Sequence, residues 1–216
     1  MKKKAVLFLL FILPIVAYLF FASGINNFTK LPVVTPAVRD FAEINDIEGN
    51  PVSLSGKITV LGFPGYDVYK YRGALFNLQQ RIFDRYHEFK DLQFVTVCPA
   101  GSEKDAELVH AEIAKLYKAT NWHFVVMPPE AILSFYKSLK LTHPLDARLA
   151  TPNVFILDKE RNLRGRKGDE YKEGYDTFHP SDLNNKMLDD FKVILYEYKA
   201  ALKKNHNATK EFDNEK

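Results

Sequence analysis

Apolar, β-rich runs that alternate with stripes of apolar residues at three- and four-residue steps predict an α/β domain, a central mixed sheet packed between helices on both faces. Two further observations complete the outline. A turn signal at Gly49-Asn50 between short β-rich segments predicts an N-terminal β-hairpin, and an uncharged apolar run near the amino terminus predicts one transmembrane helix ahead of the domain.

The chain has 216 residues, 46% hydrophobic and 26% charged. That composition suits one globular domain of about 150 residues with its own core, plus a short anchor. The net charge is only +3, with both signs interspersed, and it gives no basis for a nucleic-acid partner. A single cysteine, Cys98, cannot form an intramolecular disulfide or a Cys-x-x-Cys pair. No staple supports the core, and no paired redox cysteines exist.

The apolar run decides topology. Lys2, Lys3 and Lys4 precede residues 5–22, which carry no charge, and Ser23, Gly24 and Ile25 extend the run. About 20 helical residues cross a hydrocarbon core of about 30 Å. Pro14 is tolerated in such a helix, and the three lysines stay cytoplasmic by the positive-inside rule. The domain then lies on the periplasmic or extracytoplasmic side of the cytoplasmic (inner) membrane. A cleaved secretory signal is the alternative, with Ala22 and Gly24 as small residues near the cut. Signal h-regions are usually only about 7–15 residues long, which favours a retained anchor. Both readings export the domain, which divides the chain into an anchor or signal (1–25), a tether (26–38), the domain (39–202) and a polar, disordered tail (203–216).

The elements follow in order. Residues 26–38 hold Pro32 and Pro36 without periodicity and read as the tether. Phe41-Ala42-Glu43-Ile44 and Val52-Ser53-Leu54 flank the Gly49-Asn50 turn as the expected hairpin. Residues 57–63 form a buried strand stopped by Pro64-Gly65. Leu75, Leu78, Ile82, Tyr86 and Phe89 mark one face of a helix over about 70–89. Residues 93–97 are the next strand, and Ala106, Val109, Ile113 and Leu116 mark a second helix with Ser102 as its N-cap. A strand over 123–127 precedes a short helix opened by Pro128-Pro129. Residues 151–158 form a further strand that turns through 160–162 into a partner at Leu163. Leu183, Met187, Phe191, Ile194, Leu195, Tyr198 and Leu202 stripe a long final helix. Parallel strands joined by helical crossovers, with an antiparallel pair finishing one edge, are the thioredoxin-like layout.

Gly49-Asn50-Pro51-Val52-Ser53-Leu54-Ser55-Gly56-Lys57, the strand entering Gly65-Tyr66 and the ending Phe155-Ile156-Leu157-Asp158 resemble the Sco/SenC family. Tyr175-Asp176 and Asp189-Asp190-Phe191-Lys192-Val193-Ile194-Leu195 are similar to that family's final helix region, so the resemblance spans about 41–198. It implies a membrane-anchored, extracytoplasmic protein that helps assemble the copper centre of cytochrome oxidase. It also implies a copper site of two cysteines four positions apart and one histidine, soft donors suited to a soft ion. Registered on Gly65-Tyr66 and Leu157-Asp158, those positions hold Tyr69, Gly73 and Ala150. The chain therefore reads as a degenerate member with no metal site and no cofactor. Ala150-Thr151-Pro152 resembles the loop that carries a cis-proline in thioredoxins and peroxiredoxins.

Tyr66, Asp67, Tyr69, Lys70, Tyr71 and Arg72 replace that motif with aromatic and charged residues, and with Thr151 and Pro152 they form the candidate binding surface. Amphipathic aromatics beside basic residues suit protein docking. The plainer reading is a loop whose rings cover the sheet end. Cys98 is a candidate reactive thiol only if a helix N-terminus or cations stabilise its thiolate, and otherwise a small core residue. His87, His110, His123, His143, His179 and His206 show no paired spacing, although His143 and His179 fall in loops that can approach the surface. Arg161, Arg164, Arg166 and Lys167 make a basic turn that fits lipid headgroups, an acidic partner or a charged sheet edge. Asn207-Ala208-Thr209 matches the glycan acceptor pattern. These features predict a non-catalytic accessory or assembly factor, bound to lipid through its N-terminal helix and to a membrane or envelope protein. The alternatives are a thiol enzyme or redox sensor using Cys98, and an envelope scaffold unrelated to oxidases.

Overall fold

A computed structural model describes residues 12–16, 30–41, 43–116 and 121–214, with side chains through residue 201. Of the expected anchor over 1–25, only 12–16 fall within these residues, and they are helical. The rest of that segment lies outside them. Among the described residues no helix is long and apolar enough to cross a membrane.

Strands β2 (Ile58–Pro64), β3 (Leu92–Pro99) and β4 (Trp122–Met127) are parallel neighbours. β2 and β3 are buried along their whole length, so their sequences are mostly apolar with little alternation, and the polar Thr59, Gln93 and Thr96 within them are buried too. α1 (Arg72–Leu78) crosses from β2 to β3 and continues through a π-helical turn (Gln79–Phe83) and a last α turn (Asp84–Tyr86). α2 (Glu103–Leu116) joins β3 to β4. Ser102 stands before its first residue, but the hydroxyl donates to the Pro99 carbonyl at 2.7 Å. α3 (Pro129–Ser138) leads toward β5 (Ala150–Leu157), which runs antiparallel to β2. β6 (Leu163–Arg164) pairs with the end of β5, and β7 (Tyr175–Asp176) pairs with Val154 and Asn153. A helical turn (Pro180–Asp182) and a second π turn (Leu183–Met187) open onto α4 (Leu188–Asn214).

The seven-stranded sheet, which begins with a short β1 (Val33–Thr35), has the order β1-β6-β5-β2-β3-β4, with β7 beside β5. One core, under α1, α2 and α4, holds Phe83, Phe94, Trp122 and Phe191. The other, under α3 and residues 38–54, holds Leu54, Phe63, Phe135 and Phe155. Burying each such side chain stabilises the fold by about 1.5–3 kcal/mol. The mixed sheet between helical layers is the architecture the periodicity predicts.

Three expectations are corrected. The opening hairpin reduces to one antiparallel bridge, Asn45 to Pro51. Asp46 takes the turn's donors instead, accepting the N–H groups of Glu48 at 3.0 Å and Asn50 at 2.8 Å. The loop so formed docks on the outer edge of β4 through Val125. Second, part of the 26–38 segment joins the sheet: β1 (Val33–Thr35) pairs with β6, and Leu31 and Val38 are buried. Pro32 and Pro36 are accommodated because β1 is a three-residue edge strand between them. Third, the polar stretch after 202 does not leave the helix, since α4 runs to Asn214 and no glycine or proline follows Pro180.

Candidate functional site

β2 delivers the chain to a sharp turn. Pro64 pairs with Ala150 across the sheet, and Gly65 then adopts φ +66°. A Cβ at Gly65 would stand 2.2 Å from the Arg148 carbonyl oxygen, so only glycine lets the two segments close. The Tyr66 N–H donates to that same oxygen at 3.1 Å. The two stretches that the sequence marks separately, 65–66 and 150–152, therefore meet at one end of the sheet.

From Tyr66 the chain winds into α1. The Tyr71 N–H reaches the carbonyls of Asp67 and Val68, and buried Val68 pins the turn to the core. Tyr69 is 41% exposed, with the Arg72 guanidinium 4.1 Å from its ring centre. Lys70 projects into solvent. Asp67 accepts two bonds from Arg148, at 2.6 and 2.8 Å, and the same guanidinium lies 5.6 Å from the Tyr66 ring centre. Tyr71 meets Phe178 edge to face at 5.1 Å. Phe178 is itself 46% exposed. Burial, reinforced by the carboxylates of Asp146, Asp67 and Asp176, pushes the Tyr71 phenol up, so it remains a neutral donor.

The second segment is held as firmly. The Pro152 carbonyl accepts the Thr177 N–H at 3.0 Å and the Thr177 hydroxyl at 2.7 Å, and Thr151 Oγ1 accepts the Asn153 N–H at 3.3 Å. The described residues contain no cis peptide bond, so the bond before Pro152 is trans. This departs from the cis-proline likeness, and Pro152 sits inside β5 as an ordinary extended residue with its ring exposed.

These side chains can bind but offer no donor set for copper. Tyr69 carries a phenol, Gly73 nothing and Ala150 a buried methyl, none of them a soft ligand. Among the described residues no three of His, Cys, Asp and Glu converge as a metal site. Cys98 lies fully buried at the end of β3, its thiol against the Thr96 carbonyl at 3.9 Å. Burial, with Glu103 adding to it, pushes the thiol up and leaves little thiolate near neutrality. His179 approaches the surface, held by Asp176 at 2.7 Å beside Phe178, whereas His143 is a solvent-exposed loop residue. In the basic turn, Arg161, Arg164 and Arg166 face Asp40, Asp158 and Asp190. Lys167 alone of the four has no ion-pair partner among the described residues.

Sequence reasoning missed Arg148 and Phe178. Both sit in polar loops without periodicity, and the one signal for Arg148 was its place two residues ahead of Ala150.

No protein-family model matches the sequence, and neither does any curated protein. Solved structures do match. BsSco, a member of the Sco family of cytochrome c oxidase assembly proteins, aligns at TM-score 0.53 and 13% identity, over 76% of this chain and 98% of that one. A Bacteroides thetaiotaomicron protein assigned as a protein disulfide isomerase aligns at TM-score 0.50 and 13% identity, over 78% and 95%. At these identities the likeness establishes the fold, which is thioredoxin-like. Its structural neighbours include Sco family proteins and thiol-disulfide oxidoreductases.

Proposed function

We propose that this chain is a membrane-tethered, extracytoplasmic thioredoxin-like protein without redox or metal chemistry. It acts by docking, as an accessory or assembly factor related to the Sco-type cytochrome oxidase proteins. One observation carries the reading: the end of the sheet holds Tyr69, Gly73 and Ala150 where the resemblance requires two thiolates and an imidazole, and the only thiol is buried in the core. The uncharged run over 5–22 behind three lysines supports the tether. The fold shared with BsSco supports the kinship. The docking surface is the exposed group of Tyr69, Phe178 and Pro152 with half-buried Tyr71, edged by Lys70 and Arg72, and its partner is a protein of the same membrane, an oxidase subunit on this reading.

The full chain in detergent, titrated with Cu(I) against a chromogenic chelator, is expected to take up no stoichiometric copper. Submicromolar, one-to-one binding overturns the non-metal reading. Affinity capture from solubilised membranes is expected to enrich oxidase subunits, and the Tyr69→Ser, Arg72→Glu double variant is expected to lose them at an unchanged unfolding midpoint. Equal recovery of those subunits by the double variant moves the docking surface elsewhere.

A further inference from the structure

Leu31 is where the chain ahead of the domain joins it. Its N–H donates to Glu197 Oε1 at 2.9 Å, and its carbonyl accepts Nε of Arg164 at 2.8 Å as well as Nη2. Arg164 is only 7% exposed and is itself held by Asp158 at 3.0 Å and Glu197 at 2.8 Å. Both backbone groups of one residue are thus gripped by side chains from β6 and α4, which fixes this point on the fold. Only residues 26–30 separate it from the uncharged run that ends at Ile25. Fully extended, those residues reach about 17 Å, of which the headgroup zone takes up about 5–7 Å. The surface around Leu31 is therefore confined to within about 10 Å of the lipid headgroups.

That surface has a composition of its own. Val33 is 36% exposed and Tyr171 53% exposed. Lys30 and Lys167 line one groove with Leu31 and Pro32, and neither has an ion-pair partner among the described residues. Arg166 and Lys172 exchange two backbone hydrogen bonds of 2.9 Å, which seats Tyr171 beside the same edge. Tyrosine rings and long lysine side chains are the residue types that settle at a bilayer interface.

We propose that the β1–β6 edge lies against the lipid bilayer, with Tyr171 and Val33 at headgroup level and Lys30 and Lys167 among the phosphates. The proposal rests on the retained-anchor reading. Asp169 and Glu170 border the same groove as the two lysines, which largely cancels attraction to an anionic leaflet. The short tether holds the face in place by keeping its local concentration high. Arg164 pairs with Ile156 of β5, whereas the candidate docking loop adjoins Ala150, six residues away or about 20 Å along the strand. The docking surface is thereby held clear of the lipid and open to a neighbouring protein.

The test uses the full chain reconstituted in phosphatidylcholine–phosphatidylglycerol vesicles. Lys167→Cys, Tyr171→Cys and, on α2 over β3 and β4 at the far side of the sheet, Leu108→Cys are each labelled with a fluorophore under native conditions, in which buried Cys98 does not compete. Vesicle flotation is read first, then quenching by headgroup-spin-labelled lipid. Quenching at positions 167 and 171 is expected to exceed that at 108 several-fold, with little change in salt. Floated protein with equal or reversed quenching overturns the proposed face alone. Protein left in the soluble fraction overturns the anchor reading, and the face with it.

Discussion

Gly65 and Gly49 both adopt a positive φ, +66° and +88°, but they differ in what surrounds them. Nothing lies within 4 Å of where a Cβ would stand at Gly49, whereas at Gly65 it would collide with the Arg148 carbonyl at 2.2 Å and the Ala150 Cβ at 2.9 Å. The pair separates backbone strain from collision. Gly49→Ala is expected to cost about 1 kcal/mol, the strain of placing a side chain in the left-handed region. Gly65→Ala adds the clash and weakens the Tyr66 N–H bond to Arg148, for a loss of roughly 2–4 kcal/mol. Urea unfolding of the two variants measures the difference. Equal losses would mean that the 148–150 segment yields freely, and the candidate site would then not be the rigid surface described above.

The helices show where local pattern and tertiary packing part company. α1 passes through a π turn that contacts the π turn ahead of α4. Gln79, first in that turn, is 1% exposed, and neither end of its amide finds a hydrogen-bond partner among the described residues. A buried, unpaired amide costs about 1–3 kcal/mol. Gln79→Met, close in volume and apolar, is therefore expected to raise unfolding stability by about 1 kcal/mol in urea. A loss of that size would show that the amide is satisfied in solution, by water held at the turn. The π turn was not legible in the sequence, because Leu75, Leu78 and Ile82 keep three- and four-residue steps through its start and one extra residue blurs no apolar position. β2 and β3 were legible, since full burial makes them mostly apolar runs that end in proline, with Thr59, Gln93 and Thr96 as the polar exceptions. β1 was not, being three residues between prolines whose pairing depends on β6, more than a hundred residues later. In the candidate site the aromatic loop stood out by composition, but Arg148 and Phe178 reach it only through tertiary approach.

Across the whole molecule, the pieces outside the parallel core are stitched on by carboxylates. Burial pushes the Asp46 carboxyl up, but hydrogen bonds from His123 at 2.7 Å, Asn50 and Glu48 outweigh it and hold the group below its usual range. Asp91 is held low by the Tyr198 hydroxyl on α4, against burial and with help from Lys159. Asp182 is held low by Lys172 and the Asp176 N–H, again against burial. Together these stitches fasten the 45–51 loop to β4, α4 to the turn just ahead of β3, and β7 to the helical turn that precedes α4. A carboxyl held low in the folded state stabilises it above the unfolded value, and that contribution disappears as pH falls through the folded one. Asp84 acts oppositely, because burial raises its carboxyl and its protonation at low pH relieves a strain. Glu103 adds a fourth low carboxyl, held by the Gly101 N–H and its own, so four against one set the sign, and the urea midpoint is expected to hold from pH 7 to about 5 and to fall steadily below about 4. Asp46→Asn keeps the shape of the turn but removes one titrating stitch. It is expected to lower the midpoint at pH 7 and to flatten the decline below about 4. If this variant keeps the full acid dependence of the parent, the 45–51 loop is not held by its carboxylate, and the packing of residues 52–54 under the sheet must secure that edge.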